Sequence, residues 1–192
     1  MPDILHAAES QLFDDTLSCE LSLPADFRVG SMPGRQAAAE ALLRGLAQVE
    51  EMRSDDGHED RGELPLIVQR MDAKLDLMLA LLGRLARQAH ASLPLRPVRW
   101  SRRGMRLETG QRSGAVIGAA GVLALQPGEW LPEAIELPVA VLAEAASGTG
   151  GCFLWLRFDE LDPGLEAALE RHLFRLHRRQ VAETRRGRSD PG

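Results

Sequence analysis

Arginine is the residue type in this chain with the clearest chemical potential. Arg99, Arg102, Arg103 and Arg106 crowd around one short turn, Ser101–Gly104. Arg171, Arg175, Arg178 and Arg179 follow near the C-terminus, with Arg185, Arg186 and Arg188 beyond them. A guanidinium fork matches a pair of phosphate oxygens and stacks on flat rings. A turn carrying several arginines therefore has the chemistry to hold an anionic nucleotide. The competing reading is a solvated rim, with the C-terminal arginines answering a helix dipole.

Catalytic patterns are missing around these cations. Lys74 is the only lysine, so no P-loop or Schiff-base lysine is available elsewhere. GQRSG (110–114) places its serine one position too late for a nucleophile elbow. Neither G-x-G-x-x-G nor G-x-x-x-x-G-K-[ST] occurs. His172 and His177 stand five apart and do not share a helix face, and the remaining histidines are scattered. All five read as surface residues, and no metal site is expected. Glu50, Glu51 and the acids of SDDGHED (54–60) read as solvated charge. The chain is thus expected not to be an enzyme.

Composition narrows the partners. The net charge of −5 favours neither DNA nor RNA as a ligand. The N-terminus lacks the basic and apolar regions of a signal peptide, and no apolar run approaches a membrane span. A cytoplasmic protein without membrane contact is expected. Cys19 and Cys152 then read as two small buried hydrophobes in a reducing compartment.

The elements that must position the arginines follow from hydrophobic period. Residues 16–27 alternate, with Leu17, Cys19, Leu21 and Leu23 on one face, which predicts a half-buried strand ended or edged by Pro24. Ser31-Met32-Pro33 opens a helix with Ala38, Leu42, Leu46, Val49 and Met52 as its apolar stripe. Residues 54–62 read as an exposed loop. Leu64, Val68, Met71, Leu75, Met78, Leu82, Leu85 and Ala89 then recur at alternating spacings of four and three. That is a heptad seam, on a helix about 39 Å long at 1.5 Å per residue. Ile67, Leu77, Leu79 and Leu81 widen the stripe, which favours a bundle of more than two helices. A chain this small has too little surface of its own to cover it, so these eight residues are expected to form an oligomer interface.

Pro94 and Pro97 stop the helix. Residues 98–100, 105–108, 122–125, 137–142 and 152–158 read as short strands separated by Gly-rich turns, the pattern of a small antiparallel barrel. Gly114, Gly118 and Gly121 read as bends or bulges. Asp162-Pro163 caps a last helix whose stripe is Leu165, Leu169, Leu173 and Leu176. The fold class is α+β. One domain spans 1–192, its barrel core and closing helix lying in 16–27 and 97–182. A helical insertion over 31–92 carries the heptad helix at 64–90, and residues 183–192 form a disordered tail.

Ser101-Arg102-Arg103-Gly104 resembles the S-x-x-G core of the D/N-x-S-x-x-G motif of the PilZ domain family, which includes cyclic di-GMP receptors. The strand CFLWLRF, the acidic turn and the terminal amphipathic helix are similar to that family's usual ending. With the heptad insertion, the chain resembles the atypical PilZ subgroup known from xanthomonads, in which a long helix builds a tetramer. The resemblance implies a PilZ-like barrel and a regulator in cyclic di-GMP-linked control of motility or virulence. It implies a homo-oligomer, a tetramer, acting through an unknown protein partner and without a resident cofactor. It also makes Ser101, Arg102, Arg103 and Gly104 the residues for any ligand. Two departures argue against direct cyclic di-GMP binding. Arg99 stands at the D/N position, and no R-x-x-x-R precedes the barrel; Arg99/Arg103 and Arg171/Arg175 have that spacing in other places. The alternatives are a genuine receptor with a rebuilt arginine site, and a coiled-coil scaffold whose barrel is a spacer.

Overall fold

In a computed structural model, the structure describes residues 2–30, 35–55, 68, 70–75, 77–78, 81, 93–128, 131, 133–148 and 150–188. Helix α1 (Pro2–Phe13) leads into β1 (Ser18–Val29), and α2 (Gln36–Asp55) follows. Strands β2 (Leu95–Ser101), β3 (Gly104–Thr109), β4 (Ala120–Leu125), β5 (Ile135–Ala146) and β6 (Cys152–Phe158) come next. Helix α3 (Pro163–Arg188) closes the chain. The six strands form a closed antiparallel barrel in the order β1-β2-β3-β6-β5-β4.

Closure turns on β1. Its first half pairs with β2 as far as Pro24↔Leu95, and its second half pairs with β4 from Ala25↔Leu125. Pro24 was expected to end the strand or edge it; instead β1 continues to Val29. A proline is tolerated here because the strand changes partners at this residue, where one ladder stops and the other starts. The Ala25 N–H donates to the Pro94 carbonyl, and the Pro24 carbonyl accepts from Gln126 N–H. Gly121 is forced by packing, since a Cβ there would stand 2.2 Å from the Phe27 ring. Gly114 and Gly118 take positive φ between β3 and β4, in line with the bends expected there, whereas Gly121 stands in the regular β4–β5 ladder without a bulge.

The barrel interior is filled by alternate residues of every strand, among them Cys19, Leu23, Trp100, Leu107, Leu123, Leu137 and Leu156. Helix α3 lays Leu165, Leu169 and Leu173 on this core, with Leu176 partly buried, as the sequence spacing predicted. Helix α2 differs in phase. Ala39, Leu43 and Leu46 are buried while Ala38 is exposed, because the contact with α3 selects that side. Helix α2 also runs through Ser54 and Asp55, two residues expected in the loop. The rest of that loop lies outside the described residues.

One further expectation is corrected. Residues 183–188 are helical, so α3 extends into the segment read as a disordered tail. Glu183, Arg185 and Arg186 are sound helix formers, which carries the helix on past Ala182. Residues 189–192 lie outside the described residues. The N-terminal segment, expected only not to be a signal peptide, is helix α1. Its Ala8, Leu12 and Phe13 cover Ala143 and Trp155 on the outside of the barrel as a second, smaller core.

The heptad segment is described at 68, 70–75, 77, 78 and 81, all of them helical and exposed. Val68, Met71, Leu75 and Met78 are 42%, 60%, 52% and 52% exposed in the single chain, so the barrel does not cover them. Leu64, Leu82, Leu85 and Ala89 lie outside the described residues. Among the described residues no helix is long and apolar enough to cross a membrane. Both cysteines are free and buried. Burial raises the Cys19 thiol pKa above its ordinary value.

Candidate functional site at the Ser101–Gly104 turn

Strands β2 and β3 pair as Arg99↔Arg106, Trp100↔Met105 and Ser101↔Gly104, leaving Arg102 and Arg103 at the tip of a two-residue hairpin. Alternation in β2 sends Trp100 into the barrel and Arg99 outward, and β3 sets Arg106 beside Arg99 on the same outer face. The cluster read from the sequence is therefore real, but it divides into two groups with different partners.

Arg99 and Arg106 converge on a residue that sequence reasoning missed, Glu9 of α1. Arg99 Nη1 and Arg106 Nη1 donate to the same Glu9 oxygen at 2.7 and 2.8 Å. The Trp155 indole N–H donates to the other oxygen at 2.6 Å. Glu20 stands 3.7–3.8 Å from both guanidinium groups. Each guanidinium also lies over an aromatic ring, Arg99 over Phe13 at 4.4 Å and Arg106 over Phe153 at 4.7 Å. The result is a carboxylate cradle built from two stacked arginines and an indole, with a carboxylate of the same chain seated in it.

The tip of the hairpin serves the other end of that helix. Ser101 is fully buried, and its hydroxyl donates to the Leu12 carbonyl at 2.6 Å while accepting from Arg103 N–H at 3.1 Å. Arg103 Nη1 donates to the Gln11 and Asp14 carbonyls at 3.3 and 2.8 Å. These are carbonyls that a helix C-terminus leaves without partners, and a cation there also suits the dipole. Gly104 is required by close approach, for a Cβ would lie 2.1 Å from the Leu156 carbonyl and 2.9 Å from Leu12 Cδ2. The S-x-x-G turn is thus the C-terminal seat of α1.

Arg102 remains, 4.0 Å from Glu170. With Arg103, Arg157, Phe158, Leu161 and Glu166 it lines a shallow cavity of about 330 Å³. Arg157 makes a loose contact of 3.5 Å with Asp159.

The C-terminal arginines are drawn elsewhere. Arg175 Nε lies 2.9 Å from Glu50, and Arg179 also pairs with Glu50, joining α2 to α3. Glu50 was read as solvated charge and these arginines as a solvated rim; the packing of α2 on α3 buries the carboxylate between them. His172, read as a surface histidine, is buried beside this cluster. Its Nε2 lies 3.1 Å from the Pro127 carbonyl, and its ring meets Trp100 at 5.5 Å. Desolvation lowers its pKa to about 4; Arg175 and Arg179 push the same way, while Glu50 and the Pro127 bond oppose. Its correct assignment needed the helical phase, since His172 falls beside Leu169 and Leu173 on the buried face of α3. Among the described residues, no His, Cys, Asp and Glu group has the geometry of a metal site.

The family model of the atypical PilZ domain, described as a cyclic di-GMP receptor, matches residues 43–186. The chain belongs to the atypical PilZ family. A pathogenic protein from Xanthomonas campestris, a tetrameric PilZ domain self-assembled through a helical bundle, is 56% identical with a TM-score of 0.78. That likeness covers 95% of this chain and 99% of the other. The motility inhibitor MotI/DgrA of Bacillus subtilis is 20% identical over 46% of this chain and 43% of its own, with a TM-score of 0.38. The PilZ domain of YcgR from Escherichia coli, solved with c-di-GMP, is 17% identical over 47% of this chain and 76% of its own, with a TM-score of 0.39. No curated protein matches. In this PilZ chain, the outer face beside the S-x-x-G turn carries the chain's own N-terminal helix. Ser101 and Gly104 lie beneath it, Arg103 is partly exposed and holds its end, and Arg102 is exposed.

Proposed function

We propose that this chain is a non-catalytic regulatory subunit of cyclic di-GMP-linked signalling in motility or virulence. It acts through protein contacts made by a helix-built tetramer and does not bind the nucleotide at its S-x-x-G turn. The observation that carries the proposal is the seat of α1. The groups best suited to a phosphodiester at this turn, Arg99, Arg106 and the Ser101 hydroxyl, are already matched to Glu9 and the Leu12 carbonyl. A nucleotide would have to displace a carboxylate held by two charge-assisted bonds and an indole. The tetramer is supported by the similar Xanthomonas protein and by the apolar residues Val68, Met71, Leu75 and Met78, which the single chain leaves exposed. Light scattering should give about four times the 21.0 kDa chain mass, unchanged by cyclic di-GMP. Calorimetry should show no saturable heat with cyclic di-GMP. A chain that runs as a lone subunit would overturn the assembly.

One observation favours a second reading, a receptor with a rebuilt site. The cavity beside α3 carries Arg102 and Arg157, both nearly half exposed and loosely paired, above Phe158 and Leu161. Micromolar binding of cyclic di-GMP, abolished by Arg102→Ala and Arg103→Ala, would establish that reading in place of the first.

A further inference from the structure

We propose that the cradle holding α1 is a recognition site for a partner's amphipathic helix presenting a glutamate followed by apolar residues three and four positions on. Helix α1 is its resident occupant. The inference rests on reading the chain as a regulator that works through protein contacts, and it names where one contact is made and what it fits.

The occupant defines the chemistry. Glu9 supplies the carboxylate; Leu12 and Phe13, three and four residues later, stand on the same helical face and enter the apolar patch with Ala8. The receiving surface is formed entirely by the barrel: Arg99 on β2, Arg106 on β3, Ala143 on β5 and Trp155 on β6. Ser101 and Arg103 then read the helix end through backbone carbonyls, independent of which side chains the helix carries. Carboxylate anchor, apolar pair and capped end together make a helix-in-groove site.

Site and occupant are also separable. Helix α1 has twelve residues, a length at which an isolated helix is marginal, so its order comes from the seat. Its buried apolar contribution among the described residues is Ala8, Leu12 and Phe13. The link to β1 is four residues long and contains Asp15 at φ 52°, a left-handed conformation unusual for a non-glycine residue. Release of α1 frees that residue and leaves the barrel core unchanged. It would uncover Trp155 between two arginines, a surface that a second helix of the same pattern fits.

The test uses the full chain with Glu9→Arg, which sets three cations against one another at the cradle. Hydrogen exchange should show α1 amides deprotected while barrel amides stay as in the wild type. A fluorescent peptide spanning Pro2–Phe13 should then bind the Glu9→Arg chain saturably and the wild-type chain at least about tenfold more weakly, because the tethered helix competes. The same peptide with Glu9→Gln should bind the opened chain about tenfold more weakly than the native peptide. Glu9→Gln in the full chain, which keeps the side-chain shape, should open α1 to a smaller degree and rank between the two proteins. Protected α1 amides in Glu9→Arg, equal binding of both peptides, or no saturable binding to an opened chain would each overturn the proposal. Cyclic di-GMP binding to the opened chain where the peptide fails would assign the cradle to a nucleotide and overturn it too. Nucleotide binding by the wild-type chain is the separate result that sinks the protein-contact reading itself.

Discussion

Lowering the pH should destabilise this fold through His172. The imidazole is buried against Trp100 and held below its ordinary range, at about 4, chiefly because burial penalises its charged form. Unfolded, it returns to about 6.5, so between these values the unfolded chain binds the extra proton and the folded chain does not. Stability from this residue is complete above the unfolded value and drains away as the pH falls toward the folded one. For these two values, linkage gives a loss of about 2 kcal/mol on going from about pH 7.5 to about pH 5. Urea midpoints for the wild type and His172→Gln, measured across that window, isolate the residue from the carboxylates that titrate alongside it. The glutamine keeps an N–H for the Pro127 carbonyl but carries no proton equilibrium. The wild type should lose about 2 kcal/mol more than the variant over the window, and its His172 ring resonances should not titrate above about pH 5. Parallel pH profiles, or a His172 resonance titrating near neutral pH, would refute the reasoning.

Three further perturbations test other contacts. Leu75→Asp places a charge at an exposed apolar heptad position; sedimentation should report smaller species, with the barrel's circular dichroism unchanged and an assembly cost of several kcal/mol. Met71→Leu and Met78→Leu, by contrast, should leave the mass unchanged and cost under about 1 kcal/mol in urea unfolding. Glu50→Ala leaves the Arg175 guanidinium, 17% exposed, without its carboxylate, and should lower stability by about 3 kcal/mol in urea unfolding.

Legibility followed the origin of each signal. The strands were readable because a closed barrel repeats one requirement, an apolar residue every second position facing in, and β6 (Cys152–Phe158) stands where its residues predicted. The stripe of α3 was equally plain, since Leu165, Leu169 and Leu173 meet one continuous surface. Helix α2 was harder: Ala38, Ala39, Leu42 and Leu43 offer two adjacent apolar phases, and only the position of α3 decides between them. The candidate site was half legible. Spacing alone placed the four arginines around the turn, but it carried nothing about which acid each would meet. Arg99 meets an acid ninety residues away in the chain, and Arg175 meets Glu50 across two helices. Helix α1 could have been found from Ala8, Leu12 and Phe13, whose spacing is helical, with Glu9 beside them. Twelve residues with so short a stripe give a weak periodic signal, and the helix owes its order to the barrel.

Arg99 is best understood together with that helix. A carboxylate or amide at residue 99 would leave Glu9 to Arg106 alone of the two guanidinium groups, and α1 would lose half of its anchor. Without α1, Arg99 and Arg106 would stand directly opposite each other on neighbouring strands, with the longer contacts to Glu20 to offset their repulsion. Each feature offsets part of the other's cost. The two features therefore form one structural unit, and a double-mutant cycle between Glu9→Gln and Arg99→Gln should show coupling well above that of an exposed ion pair. Additive losses would mean that the helix is held by its apolar residues and that Arg99 is a bystander.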